Sequence, residues 1–359
     1  MTFDPNAAAT CDGLYGLPTS VEEARVVVIP VPFDATTSYR DGTRNGPAAV
    51  LEASWQVDLH DVDFGDPYRK GIAMLPLDGG VVRKIRSLND EARRHSKPVI
   101  AAGGEIDGSP RLRKALDQAN RLCARMNDLV EETAAALISK GKLAVVLGGD
   151  HSTPFGSIKA CAAKHPGLGI LHIDAHADLR VAYEGFQWSH ASIMHNVASK
   201  IGARGGVATL VQVGIRDLCE AEHDLIRRRT GSGETRIVTF FDSHLQAAKM
   251  RGTPWATLAK KVVGRLPKKV YVSFDIDGLD PALCPDTGTP VAGGLSFAEM
   301  VELLRAVRAA GKTIVGFDLN EVAPNRLLPA RDWGMDWNAN VGARALYKLI
   351  GAATSPARR

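Results

Sequence analysis

No apolar run in these 359 residues approaches the ~20 needed to span a membrane, so no membrane partner is expected. No basic start leading into an apolar stretch opens the N-terminus, MTFDPNAAATCD, which does not read as a signal peptide. The five cysteines, Cys11, Cys123, Cys161, Cys219 and Cys284, form no CxxC pair. Neither a disulfide framework nor a thiolate metal site is suggested, and reduced thiols in a cytoplasmic protein are expected. Charge of one sign is missing too: 44 basic against 40 acidic residues leave a net charge of +4. That balance argues against nucleic acid or a membrane surface as partner. The run Arg227-Arg228-Arg229 reads as a solvated helix end. There is no internal repeat, no low-complexity segment and no linker that would split the chain.

What is present is ordinary for a globular protein, with 45% hydrophobic and 23% charged residues. Apolar, β-branched runs lie at Arg25–Val31, Lys142–Leu147, Leu168–Ile173, Thr209–Val213, Arg236–Phe240, Val270–Phe274 and Thr313–Phe317, with a shorter candidate at Pro98–Ala101. Continuous apolar runs suit strands covered on both faces, as in a parallel sheet. Helical patterns fall between them. The clearest starts at the cap Ser109 with Pro110 in the first turn, and repeats apolar residues from Leu112 to Leu137. Others are expected over Pro154–Ala163, Ser189–Lys200, Ser296–Ala309 and Asn338–Leu349. The alternation predicts one doubly wound α/β/α domain, residues 25–353, on a mainly parallel sheet of about eight strands. Residues 1–24 read as an N-terminal arm and 354–359 as a loose tail. Ligands of such folds sit beyond the carboxyl ends of the strands.

Three polar motifs occupy those ends. The strand at 168–173 runs into Asp174-Ala175-His176-Ala177-Asp178, whose polar residues share one side in extended backbone. The strand at 270–274 ends in Asp275-Ile276-Asp277-Gly278-Leu279-Asp280-Pro281, where Asp275 and Asp277 again share a side and Asp280-Pro281 shapes a turn. After Leu147 comes Gly148-Gly149-Asp150-His151-Ser152, where glycines permit an irregular turn and His151 can project. Such groups at buried strand ends are costly without a cation. Four carboxylates balance two divalent ions, and ions ~4 Å apart can share a water and lower its pKa. A single motif of this kind could be a hydrogen-bonded strand end; three at three strand ends point to metal.

GGDHS at 148–152, DAHAD at 174–178 and SFDIDGLDP at 273–281 resemble the signature motifs of the ureohydrolase family, which includes arginase, agmatinase and guanidinobutyrase. Phe33–Glu52, Thr287-Gly288-Thr289-Pro290 and Asp318–Pro324 resemble further segments of that family, so the likeness spans nearly the whole chain. It implies an arginase-like fold and hydrolysis of a guanidino group to urea. It implies one metal on His151, Asp174, Asp178 and Asp275 and a second on Asp174, His176, Asp275 and Asp277. Asp178 would also accept a hydrogen bond from the attacking hydroxide, Glu321 would pair with the guanidinium, and His190 would carry the proton to the departing amine. Mn²⁺ is implied by the family and Ni²⁺ by its guanidine-hydrolase-like branch. A homo-oligomer, trimer or hexamer, is implied, and a hetero-oligomer with a related subunit is compatible with it.

Substrate choice rests on fewer residues. Where arginase-like members read the amino-acid head group, this sequence places Arg180 and Cys219. Arg180 would repel an α-ammonium, which disfavours L-arginine. Trp188, the N-terminal arm and the segment Trp333–Arg344 resemble the guanidine-hydrolase-like branch. Either one of Trp188, Trp333 and Trp337 fills the space of a long alkylamine tail, or these aromatics pack core and interface. Thr289 is a further substrate-binding candidate. The expected substrate is guanidine or a short N-substituted guanidine or biguanide, with agmatine or guanidinobutyrate as alternatives.

Other residues read more plainly. His172 is expected to be a satisfied core or second-shell histidine, His195 packing or surface, Asp150 an orienter of ligands and Arg216 structural. Rival classes are a non-catalytic subunit, which the intact ligand set opposes, a single-metal deacetylase-type enzyme, which would not need Asp277, His151 and Glu321 together, and a nucleotide-binding module. No GxGxxG or P-loop follows the first strand to support the last.

Overall fold

The computed structural model describes residues 3–9, 11–228 and 234–355, so Arg229 and most of the expected tail lie outside the described residues. In chain order the elements are β1 (Val26–Val31), α1 (Gly46–Ser54), β2 (Ile72–Met74), α2 (Gly80–Ala101), α3 (Pro110–Ser139), β3 (Leu143–Gly148), α4 (Phe155–Lys164), β4 (Leu168–Ile173) and α5 (Ile193–Asn196). They continue as β5 (Val207–Ile215), α6 (Glu220–Arg227), β6 (Arg236–Phe241), α7 (Asp242–Met250), α8 (Trp255–Val263), β7 (Lys269–Asp275), α9 (Phe297–Ala309), β8 (Thr313–Asn320) and α10 (Trp337–Thr354). The strands form one eight-stranded sheet in the order β2-β1-β3-β8-β7-β4-β5-β6. Every pair in it is parallel. Parallel neighbours need crossovers, and most of the helices supply them on the two faces.

Apart from the edge strand β6, whose residues are exposed or half-buried, the apolar runs are largely buried on both sides. Along β1, Val26 and Val28 enter one core cluster while Val27, Ile29 and Val31 enter the opposite one. Leu143, Val145 and Leu147 of β3 alternate in the same way with Ala144 and Val146. Each such side chain contributes about 1.5–3 kcal/mol on burial. Ahead of β1, Leu14, Tyr15 and Leu17 dock into the first cluster. The Tyr15 ring tilts against Tyr347 at 4.7 Å and its hydroxyl donates to Ala343 O at 3.0 Å.

Two local expectations are corrected. Pro98–Ala101 is not a strand but the end of α2, whose buried residues Val82, Ile85, Asn89, Ala92, Ser96 and Val99 keep helical spacing up to it. Ser189–Lys200 is not one helix: a 3₁₀ turn (His190–Ser192), the short α5 and a π turn (Val197–Ile201) follow one another. Ser189 does not cap it through its side chain, and its hydroxyl instead lies 3.1 Å from that of Ser192. Ser109 does cap α3, accepting from the Leu112 N–H.

Sheet order explains the site. β3, β8, β7 and β4 are consecutive neighbours although they end at residues 148, 320, 275 and 173. Four distant motifs are thereby carried to one stretch of the sheet's carboxyl edge.

Candidate metal centre

His151 stands at the centre of the inner group. Its Nδ1 lies 2.9 Å from Asp174 Oδ2, 3.3 Å from Asp178 Oδ2 and 3.2 Å from Asp275 Oδ2. His176 anchors an outer group, with Nδ1 at 3.0 Å from Asp277 Oδ2 and 3.5 Å from Asp174 Oδ1. Asp174 belongs to both groups. The ligand atoms of His151, His172, Asp174 and Asp178, and separately those of Asp174, His176 and Asp277, lie within 4.8 Å of one another. All six residues expected from the sequence are therefore brought together.

The backbone holds the carboxylates in place. Asp174 Oδ1 accepts from the His176 N–H at 2.6 Å, Asp275 Oδ1 from the Asp277 N–H at 2.9 Å, and Asp277 Oδ1 from the Ala175 N–H at 3.0 Å. Each of the three gives one oxygen to an amide and turns the other inward. The Arg216 guanidinium fastens the Asp277 turn from behind, donating to the carbonyls of Asp277 (2.7 Å) and Leu279 (3.1 Å), a structural role. At the tip of β3 a methyl group on Gly148 would overlap Asn320 Oδ1, so only glycine fits there. Asp150 is not among the inward groups; its Oδ1 accepts from the Ser152 amide and hydroxyl and shapes the turn that presents His151.

Packing so many acids together shifts their titration. Burial, then Asp174, pushes Asp178 up to about 7, and burial, then Asp277 and Asp174, raises Asp275 well above the carboxylate range. Burial opposes ionisation of Asp174 as well, yet His172 and His151 hold it well below its usual value. Burial also disfavours charge on His151, but hydrogen bonds to Asp174, Asp178 and Asp275 raise it well above normal. Such a cluster holds surplus negative charge in a dry place. Its donors, carboxylate oxygen and imidazole nitrogen, are those hard divalent ions take. The residues fit two divalent cations.

Behind the ligands lies support the motifs did not reveal. His151 Nε2 is 2.9 Å from Ser273 Oγ, whose hydroxyl donates to Asp318 Oδ1 at 3.0 Å. Ser273 thus receives the Nε2 proton and leaves Nδ1 facing the acids. A carboxylate inside the apolar run Thr313–Phe317 and its extension is the signal that could have found Asp318.

A cavity of about 170 Å³ opens onto the cluster, lined by His176, Asp178, Arg180, His190, Thr289 and Glu321 among others. Glu321 accepts from the His151 N–H through Oε1 at 3.0 Å, while its Oε2 is buried with no hydrogen-bond partner. Burial, then Asp275 and Asp150, raises its pKa well above normal. Thr287 holds the Glu321 carbonyl at 2.8 Å. His190 Nδ1 is also buried without a partner, and burial, then His176 and His151, pushes His190 down to about 4. Asp178 and Glu321 adopt φ of 54° and 63°, left-handed values rare outside glycine that cost about 1–3 kcal/mol each and gather at functional sites.

Arg180 lines the cavity, its guanidinium 5.4 Å over the Tyr183 ring and its Nε 3.6 Å from Glu222 Oε2. None of Trp188, Trp333 and Trp337 lines it, and Trp333 packs against the first core cluster. Trp188 packs edge-on against Phe155 at 5.0 Å, beneath Lys200. Trp337 is 54% exposed and donates to Ala282 O at 3.0 Å. The tail-filling role expected of them is corrected accordingly: α4 and the 282 loop take up the rings of Trp188 and Trp337.

A family model described as the arginase family matches residues 24–350. The N(1)-aminopropylagmatine ureohydrolase of Thermus thermophilus is 33% identical over 307 residues, covering 86% of this chain and 85% of that one. The agmatinase of Bacillus anthracis is 31% identical, covering 85% and 86%. Among solved structures, arginase from Medicago truncatula superposes with a TM-score of 0.66 at 24% identity, covering 93% of this chain and 88% of its own. The agmatine ureohydrolase of Thermoplasma volcanium gives 0.64 at 22%, covering 97% and 94%. These structural likenesses concern the fold alone.

Proposed function

This chain belongs to the arginase family, and on that premise we propose that it cleaves a small guanidino compound to urea plus an amine or ammonia. It is a guanidino-group hydrolase of the ureohydrolase type. The finer reading takes guanidine itself, or a short N-substituted guanidine or biguanide, as substrate. The observation that carries the reaction is the pair of acid–imidazole groups sharing Asp174 below a cavity that also holds Glu321.

In this reading His151, Asp174, Asp178 and Asp275 hold one cation, and Asp174, His176, Asp275 and Asp277 the other. Two such ions, Mn²⁺ or Ni²⁺, supply Lewis acidity and lower the pKa of a water held at this spot. Glu321 Oε2, buried and unpaired, receives the guanidinium N–H groups and aims the carbon at the water. Asp178 orients that water. His190, neutral at pH 7, takes a proton from it and returns the proton to the leaving nitrogen. Burial of His151, Asp174 and Asp178 keeps bulk water from the inner ligands.

Arg180 supports a substrate without a second cation. Glu222 faces Arg180 at 3.6 Å, but its two oxygens are already taken by the Leu179 and Cys219 amides at 2.9 Å each and a buried side chain offers a ligand's ammonium little. A second reading, agmatinase, is favoured by the relatives and by Asp217, an acid 65% exposed in the cavity lining that could receive a terminal ammonium. Urea release from guanidine, methylated guanidines, biguanides, 4-guanidinobutyrate and agmatine decides between them. The short guanidines should lead, and a strong preference for agmatine would overturn the small-substrate reading.

A homo-oligomer, trimer or hexamer, belongs to the same proposal. Leu327, Met335 and Trp337 expose apolar surface in one short segment, as subunit contacts do. None of the five cysteines is in a disulfide, which suits the reducing cytoplasm. Among the described residues no helix is long and apolar enough to cross a membrane.

A further inference from the structure

One register row of the sheet is polar where its neighbours are apolar. Thr239 of β6 pairs with Gln212 of β5, Gln212 with His172 of β4, His172 with Ser273 of β7, and Ser273 with Asp318 of β8. His172, Gln212, Ser273 and Asp318 are fully buried. Buried polar groups survive in a sheet core when they satisfy one another. The row lies one step below the metal-binding acids. Its Ser273–Asp318 end supports His151, but no catalytic role uses its other end.

That other end has a hydrogen-bond order fixed by chemistry. Gln212 Nε2 is 2.7 Å from Ala177 O, which can only accept, so this atom is the amide nitrogen. Its Oε1 accepts from the Thr239 hydroxyl at 2.8 Å. The same nitrogen lies 3.1 Å from His172 Nδ1 and donates to it. His172 must then carry its proton on Nε2, which is 2.8 Å from Asp174 Oδ2. Asp174 is the acid common to both groups of ligands. Its two oxygens are thus fixed separately, Oδ1 by the His176 amide and Oδ2 by His172.

We propose that Gln212 is a positioning residue: by setting the tautomer of His172 it makes that ring a donor to Asp174, and so aims the shared carboxylate at both cations. This rests on the two-cation reading of the site. It also assigns His172, which lies within ligand distance of the inner group, as a support and not a ligand. Both its nitrogens are already engaged, one as acceptor and one as donor. Thr239 holds the outer end of the relay and is a lesser member.

The test is a calorimetric Mn²⁺ titration of chelator-stripped protein, with ion counting, thermal melting, and kcat and KM at saturating metal. Gln212→Met keeps shape and removes the donor. It should still bind two ions, but about 10–100-fold more weakly, as loss of a ligand's supporting partner does. Its kcat should fall with KM little changed, since Gln212 does not line the cavity. His172→Leu should weaken binding similarly, and His172→Gln, whose amide can donate from the Nε2 position, should recover most of it. Parent-like Mn²⁺ affinity in a folded Gln212→Met protein would overturn the relay. So would the loss of one whole ion in both His172→Gln and His172→Leu, which would make His172 a ligand. Should Gln212→Met fail to fold, Thr239→Val takes its place, with a few-fold loss expected and parent-like affinity contradicting. The titration reads the relay even if no guanidino compound yields urea, so failure of the substrate reading is seen separately.

Discussion

The two halves of the acid cluster differ in what stands behind them. In the inner half, the side chains of His151 and Asp174 are 1% exposed and that of Asp178 5%. His151 Nε2 is backed by Ser273 and Asp318. In the outer half, the His176 side chain is 24% exposed and its Nε2 faces Asp217, 3.9 Å away and itself largely exposed. The inner half is built before any ion arrives. The outer half borders the cavity, where substrate enters. A dry, fully supported position suits an ion that stays; an open one suits the ion nearer the chemistry.

The strongest way to break this comparison is Asp277→Asn. It strikes the outer half alone, yet turnover should vanish, because the reaction needs both cations. Full activity in that variant would contradict the site assignment. Next come His151→Ala and His176→Ala in metal-free protein. Removing His151 leaves Asp174, Asp178 and Asp275 facing one another without a cationic partner, a loss of the order of 3–5 kcal/mol. His176→Ala should cost clearly less, being nearer water; equal drops in melting temperature would erase the distinction between the halves. Asp318→Asn sharpens the comparison. It strikes the inner support, along with the Phe274 and Asn320 contacts of the same oxygen, and should lower Mn²⁺ affinity about 10–100-fold at one site of two. A titration in which both sites weaken equally would show that the support is shared. Arg180→Ala should have the smallest effect. Guanidine turnover should stay within a few-fold of the parent while agmatine turnover rises, and no change in their ratio would remove Arg180 from substrate selection.

Much of this was legible in the sequence because two simple periodicities carry it. Apolar runs mark seven of the strands, six of them largely buried on both faces and β6 half-exposed at the sheet edge, and polar residues two apart at strand ends mark Asp174, His176, Asp178, Asp275 and Asp277. β2 was missed because three residues hold too little pattern. Pro98–Ala101 misled because four apolar residues look alike at the end of a helix and in a strand. The segment around His190 was read as one helix because its polar–apolar spacing is helical, while its turns change pitch twice. The support row was hidden for a deeper reason. His172 reads as a core or supporting histidine, but Gln212, Ser273 and Asp318 each look like a lone polar residue in an apolar run, and only sheet order places the four side by side. Trp188, Trp333 and Trp337 leave two readings open in the sequence, because an aromatic's neighbours cannot be read from its position in the chain; the structure shows packing.

The urea-forming reaction requires that this cluster hold a pair of ions. Protein stripped by chelator, reloaded with Mn²⁺ or Ni²⁺ and freed of excess should be analysed by mass spectrometry for metal per chain. Two ions per chain is the predicted result. One ion or none, in protein that remains folded, would contradict it.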